Sequence, residues 1–159
     1  AAAVSGEQVR QSGQGRRQWL GAGAGLALAV WLRPVLAAPA DELQAAIMAL
    51  TAGVAPRQGR VKLDVAPLVE NGNAVPLTVS VESPMTAADH VARIALLNER
   101  NPERDIARFK LGPRAGKALV STRIRLATSQ QLVALAQLSD GSWWSQRVDV
   151  IVTLAACIE

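Results

Sequence analysis

The stretch Val75-Pro76-Leu77-Thr78-Val79-Ser80-Val81 decides the fold class, because large apolar side chains recur at every second position. A period of two residues is typical of a β-strand that buries one of its faces. Residues 61–65 repeat the pattern, with Lys62 and Asp64 at the polar positions. Both stretches therefore predict half-buried strands.

Working outward, the same pattern predicts further strands, and turn signals such as Asn-Pro, Gly-Pro and Asp-Gly separate them. The five further strands are predicted near residues 91–97, 105–111, 118–126, 131–138 and 143–154. Seven short strands without intervening helices favour an all-β, immunoglobulin-like β-sandwich over residues 57–152. The last strand is expected to be an edge strand or to continue as a projecting arm over residues 153–159, because no later segment is available to cover it.

One short helix is predicted before the strands, within residues 41–56. Asp41 is a good N-cap, Gln44 stands in the capping-box position, and Leu43, Ile47 and Leu50 recur at helical spacing. The remainder of this segment is interpreted as a linker.

Residues 1–40 are interpreted as a twin-arginine export signal. Arg16 and Arg17 precede a weakly apolar run over residues 21–32, and the small-residue triplet 38–40 suggests cleavage after Ala40. The run has about 12 residues, whereas a bilayer span needs roughly 20, so no permanent membrane span is expected. The signal predicts a periplasmic protein.

The charge is concentrated in that first segment. The chain has a net charge of +4, but from Asp41 onward 13 lysines and arginines face 12 acidic residues. A nearly neutral body without a basic run gives no electrostatic footprint for nucleic acid, and that class of partner is set aside.

Few side chains offer chemistry. The chain has one histidine, His90, and one cysteine, so neither a metal site nor an intrachain disulfide is expected, and no cofactor is predicted. Neither Ser80 nor Ser121 lies in a nucleophile-elbow pattern. Trp143 and Trp144 are adjacent in a predicted strand, so one is expected to fill the core and the other to cover a surface or to stack on a ligand.

Cys157 is the strongest candidate because it stands third from the end of the sequence. Free cysteines are usually buried, but a terminal segment is seldom tied down unless it docks. An accessible thiolate forms and exchanges S–S bonds, which suits a covalent carrier. We therefore expect an arm of Leu154, Ala155, Ala156, Ile158 and Glu159 to present Cys157 to partner proteins.

Several motifs resemble the SoxY family, including residues 70–72, 75–76, 83–86, 101–102, 121–127, 129–130 and 139–141, together with the export signal. The resemblance implies an immunoglobulin-like sandwich that forms a heterodimer with a SoxZ-like protein. It also implies a carrier without an active site of its own, whose C-terminal cysteine holds thiosulfate-derived sulfur while periplasmic sulfur-oxidising enzymes act on it. Cys157 matches that cysteine by position.

The end of the chain departs from the family pattern. The family arm reads Gly-Gly-Cys-Gly-Gly, whereas this chain ends Ala155-Ala156-Cys157-Ile158-Glu159, which makes a stiffer and bulkier arm. Glu159 places negative charge beside the sulfur and should disfavour the thiolate. The ending is similar to the SoxY-related AACIE-arm paralogues, and it implies a specialised relative. The alternative is a non-carrier interaction subunit that pairs with a SoxZ-like protein, in which Ile158 anchors the tail and Cys157 is incidental.

Overall fold

The computed structural model describes residues 38–156. One helix is followed by nine strands and a single turn of 3-10 helix at Pro113–Ala115. In chain order the elements are α1 (Pro39–Leu50), β1 (Arg57–Gln58), β2 (Val61–Val65), β3 (Leu68–Val69), β4 (Val75–Val81), β5 (Val91–Asn98), β6 (Asp105–Lys110), β7 (Leu119–Ile124), β8 (Gln130–Leu138) and β9 (Trp143–Val152). The predicted β-sandwich with one short preceding helix is confirmed.

All seven predicted strands are present, with ends that shift by one or two residues. The exceptions to the prediction are β1 and β3, which have two residues each. A strand of two residues is too short to show alternation, so the periodicity of the sequence carries no signal for either.

The strands form two sheets. The larger has the order β1-β9-β8-β5-β6, with β3 also paired to β9, and the smaller has the order β2-β4-β7. The pairings among the seven longer strands are antiparallel, whereas β1 and β3 both run parallel to β9. Alternation in β2 and β4 reflects burial on one face only, since the other face of the small sheet is open.

The main core lies between the two sheets. It takes one face of β4 (Val75, Leu77, Val79) and the facing side chains of the large sheet, including Ile94 and Leu132. These side chains are almost wholly removed from water. Because each buried leucine or isoleucine contributes roughly 1.5–3 kcal/mol relative to exposure, this layer supplies most of the stability.

Helix α1 covers the outer face of the large sheet. Leu43 and Ile47 pack against Leu135, Leu97 and Trp143 in a second apolar cluster. The central strands β5 and β8 are therefore buried on both faces, which explains their nearly continuous apolar sequences.

The start of the helix differs from the prediction. Asp41 is not the N-cap: the helix begins at Pro39 with Ala38 as the N-cap, and no side chain caps it. Proline is favoured in the first turn, because its fixed φ suits a helix and its missing N–H would have no partner there. Asp41 and Glu42 lie in the first turn, where their negative charge is favourable.

The edge of β9 also differs from the expectation. Its far side is covered by two earlier segments, since β1 pairs with Trp144 and Ser145 and β3 pairs with Ile151 and Val152. The expectation considered only segments later in the chain. Parallel partners, however, come from segments distant in sequence, and here they precede the strand.

Candidate functional site

The candidate site is the segment that follows β9, where the sequence places the carrier arm. Leu154, Ala155 and Ala156 are described, whereas Cys157, Ile158 and Glu159 lie outside the described residues. The predicted signal arginines, Arg16 and Arg17, also lie outside them. The part of the candidate site that the structure describes is the base of the arm, residues 153–156.

The base of the arm is hydrogen-bonded to the sandwich at each end. The Thr153 N–H donates to the Val69 carbonyl at 3.0 Å, and the Thr153 hydroxyl donates to the Glu70 carbonyl at 3.3 Å. At the other end the Ala156 N–H donates to the Leu126 carbonyl at 3.0 Å. The base of the arm is thus attached through β3, through Glu70 and through the segment that follows β7.

Gly72 lies between these two anchoring points. Its N–H donates to the Leu154 carbonyl at 2.8 Å, and its carbonyl accepts from the Leu126 N–H at 2.9 Å. The three segments that follow β3, β7 and β9 are joined at this residue. Residues 70–72 form one of the family motifs, but nothing in the sequence predicts this contact of Gly72.

One side chain at the base of the arm, residues 153–156, is buried and the other three are exposed. Ala156 is 7% exposed, whereas Ala155 is exposed and Leu154 is 63% exposed. Leu68 and Ile151, which are register partners in β3 and β9, are 57% and 58% exposed. The surface beside the arm therefore displays several large apolar side chains to solvent.

The two tryptophans are placed as the alternation predicts. Trp143 is buried beneath α1, and Trp144 lies on the opposite face of β9, half-buried. The guanidinium groups of Arg57 and Arg60 lie 5.9 and 5.2 Å from the centre of the Trp144 ring. Such stacking is a favourable cation–π contact, so the Trp144 ring packs against two arginines of the same chain.

The other predicted side chains have structural contacts. His90 Nδ1 donates to the Thr86 carbonyl at 3.1 Å, and its backbone N–H donates to the Ser139 hydroxyl at 3.2 Å. Ser121 bonds to the Thr78 hydroxyl across the strands at 2.9 Å. His90 thus joins the segment before β5 to the hairpin before β9, and Ser121 links the paired strands β4 and β7.

Within residues 38–156, the carboxyl group whose pKa is shifted is that of Asp140, in the hairpin before β9. The Asp140 carboxylate accepts hydrogen bonds from Ser142. The bond from the Ser142 side chain, and next the bond from its backbone N–H, hold the pKa of Asp140 below its ordinary 3.8. This hairpin stands at the opposite end of the ten-residue strand from the arm. It does not contribute to the electrostatics of the arm.

A groove of about 490 Å³ lies between α1 and the edge strand β6. Its floor includes Ala95 and Trp143, and its rim carries Arg93 and Lys110, which are direct cross-strand partners. Two like charges placed opposite each other weaken a sheet. The groove faces the same side of the large sheet as the helix.

Among residues 38–156 no three histidine, cysteine, aspartate or glutamate side chains come together as a metal site. In the same part of the chain, no helix combines the length and apolar character that a membrane crossing requires.

Comparisons with known proteins identify the fold. The structure of the sulfur carrier protein SoxY from Chlorobium limicola f thiosulfatophilum superposes with a TM-score of 0.60 at 29% identity, covering 72% of this chain and 99% of that one. The superoxide reductase (neelaredoxin) from Ignicoccus hospitalis gives a TM-score of 0.53 at 22% identity, with 59% and 80% coverage.

The superoxide reductase from Nanoarchaeum equitans gives a TM-score of 0.52 at 12% identity, with 60% and 100% coverage. At these identities the reductases show a shared fold and nothing more. A search of curated proteins finds no match. Residues 47–157 match the family described as sulfur oxidation protein SoxY, so this chain belongs to the SoxY family.

Proposed function

We propose that this protein is a periplasmic sulfur carrier that holds an inorganic sulfur intermediate covalently on Cys157. The observation that carries the proposal is the extent of the family match, which begins within α1 and runs through Cys157 itself. The SoxY structure to which the chain is similar is that of a sulfur carrier. Residues 16–20, with their two arginines before an apolar run, support export by the twin-arginine pathway.

The chemistry requires one accessible thiol and a partner that accepts electrons. Joining the Cys157 thiol to the outer sulfur of thiosulfate forms one S–S bond, releases one proton and yields two electrons. The chain has one cysteine, so it holds no disulfide whose reduction could take up those electrons. An oxidising partner enzyme must therefore accept them, and the protein acts as a carrier rather than as the catalyst.

We further propose that the body pairs with a SoxZ-like protein. The small sheet supports this proposal, because the polar face of β2, β4 and β7 is open to solvent and available to a partner. The alanines at 155 and 156 support membership of the AACIE-arm group, whose arm is matched to dedicated enzymes.

The test is the substitution Cys157→Ser in the native host. The carrier function predicts that pairing with the SoxZ-like partner is retained, as measured by co-purification, and that sulfur-dependent respiration is lost. The alternative, an interaction subunit with an incidental cysteine, predicts that both are retained. Retention of both pairing and respiration in Cys157→Ser would contradict the carrier proposal, because a serine cannot form the S–S bond that the carrier function requires.

A further inference from the structure

The segment after β3 approaches the arm too closely for any residue but glycine. A Cβ at Gly72 would lie 2.4 Å from the Leu126 carbonyl oxygen and 2.9 Å from the Ala156 nitrogen. Side-chain carbons do not come so near to backbone atoms, and both neighbours belong to the backbone. Gly72 is therefore required for space, and its absent side chain is what lets the arm dock.

Ala156 is the residue of the arm that would lie closest to a Cβ at Gly72. It is the buried side chain among residues 153–156, and its N–H bonds to Leu126 beside Gly72. An alanine also has less conformational freedom to lose on docking than a glycine. Leu154 and Ala155, by contrast, point to solvent.

The docking is local in character. Three backbone hydrogen bonds, one hydroxyl hydrogen bond and one buried methyl group hold residues 153–156. Segments with few buried contacts open without unfolding the rest of a protein. The base of the arm can therefore leave the sandwich while the core between the sheets stays intact.

We infer that Gly72 and Ala156 are positioning residues that give the Cys157 arm a docked state and a released state; the inference rests on the proposed function. The Cα of Cys157 lies one peptide unit, about 3.8 Å, from that of Ala156. In the docked state the chain is anchored up to Ala156, so Cys157 directly follows an anchored residue. Release of four residues adds up to about 13 Å of reach, at roughly 3.3 Å per residue.

The consequence is selectivity among partner enzymes. An enzyme with a shallow thiol-binding site reacts with the docked state, whereas an enzyme with a deep channel reacts only after release. The equilibrium between the two states thus decides which partners act on the carrier, without any change at Cys157 itself.

The experiment uses two adjacent alanines. Ala156→Pro removes the N–H that donates to Leu126, whereas Ala155→Pro changes an exposed neighbour whose N–H has no hydrogen-bond partner among residues 38–156. Cys157 is the one cysteine of the chain, so a nitroxide spin label attaches there without further engineering. Label mobility is read by electron paramagnetic resonance, and amide exchange at Gly72 is read by NMR.

In the wild type and in Ala155→Pro we expect a slow-motion component and a protected Gly72 amide. In Ala156→Pro we expect the slow component to disappear and the Gly72 exchange rate to rise at least about tenfold, with the global unfolding midpoint unchanged. Equal mobility and equal exchange in all three proteins would overturn the inference.

Glycine substitutions give a second route. Gly72→Ala should release the arm, whereas Gly112→Ala, where a Cβ has open space, should not. If Gly72→Ala does not fold, the alanine pair still decides the question. Neither readout requires Cys157 to carry a sulfur intermediate, so a docked arm whose Cys157 is never loaded would contradict the proposed function and leave this inference standing.

Discussion

The centre of the large sheet and the base of the arm are held by different forces. In β5 and β8 the side chains are buried on both faces, between α1 on one side and the small sheet on the other. In residues 153–156 one side chain is buried, and three backbone hydrogen bonds and one hydroxyl hydrogen bond make the remaining attachment. The body is held by a packed core, whereas the base of the arm is held by hydrogen bonds to neighbouring segments.

Because of this difference, the stability of the body and the presentation of the Cys157 thiol depend on different interactions. Core packing contributes several kcal/mol per large side chain, whereas a hydrogen bond contributes about 0.5–1.5 kcal/mol net. The arm can therefore be released at a small fraction of the free energy that unfolds the body. A carrier needs this arrangement, because its scaffold must persist while its attachment point changes partners.

The largest change in the free energy of unfolding is expected from a substitution in the core of the body. Leu135→Ala removes a fully buried side chain between β8 and α1 and should lower the free energy of unfolding by about 2–5 kcal/mol. Urea denaturation measures this loss, with the exposed Ile151→Ala as the control. If the arm opens locally, alkylation of Cys157 in native buffer changes less than about twofold in the folded variant. A parallel rise in alkylation would show that the two regions open together.

A smaller loss is expected where one hydrogen bond joins the two sheets. The Leu63 N–H, on the outer edge of β2, donates to the Gln146 side-chain carbonyl on β9. Gln146→Leu leaves this N–H without its partner, which should cost about 1–3 kcal/mol in urea denaturation. Gln146→Glu, which keeps an acceptor, should retain most of the stability. Equal losses in both variants would mean that packing, rather than the hydrogen bond, is what matters.

A gain in stability is expected at the far edge of the large sheet. Arg93 and Lys110 are direct partners between β5 and β6, so Lys110→Glu replaces a repulsive pair with an attractive one. The midpoint should rise by the equivalent of about 0.2–1 kcal/mol. Lys117→Glu makes the same charge change in an exposed loop and should give no comparable gain. A loss at Lys110 would indicate that the groove beside it needs its positive charge.

The smallest effect concerns the Asp140 hairpin at low pH. Its pKa is held below the ordinary value by Ser142, so its contribution to stability is complete above pH 3.8 and is lost as the pH falls through the lowered pKa. Asp140→Asn keeps an acceptor but does not titrate. The difference in melting temperature between the wild type and the variant should shrink as the pH is lowered from 5 to 2. A constant difference would contradict this assignment.

Most of the fold follows from the sequence for a clear reason. Strands such as β4 bury one face, so alternation marks their ends, and α1 is marked by its periodic apolar residues. The helix start at Pro39 was missed, because a favourable acid at residue 41 looks the same whether it caps the helix or lies in its first turn. The short strands β1 and β3 exist only through their pairing with β9, which local sequence does not encode.

The site could be predicted in part. The position of Cys157 and the family motifs identify the arm, but its attachment depends on three segments meeting at Gly72. A glycine required for space looks the same in the sequence as one required for a turn. The docking of Ala156 is therefore visible only in three dimensions.

The most direct measurement is the mass of the C-terminal peptide from protein purified without reductant from cells that oxidise thiosulfate. A carrier predicts a sulfur-containing adduct on Cys157 that reductant removes and that is absent from Cys157→Ser. An unmodified Cys157 thiol under those conditions, in protein that still pairs with its partner, would contradict the account.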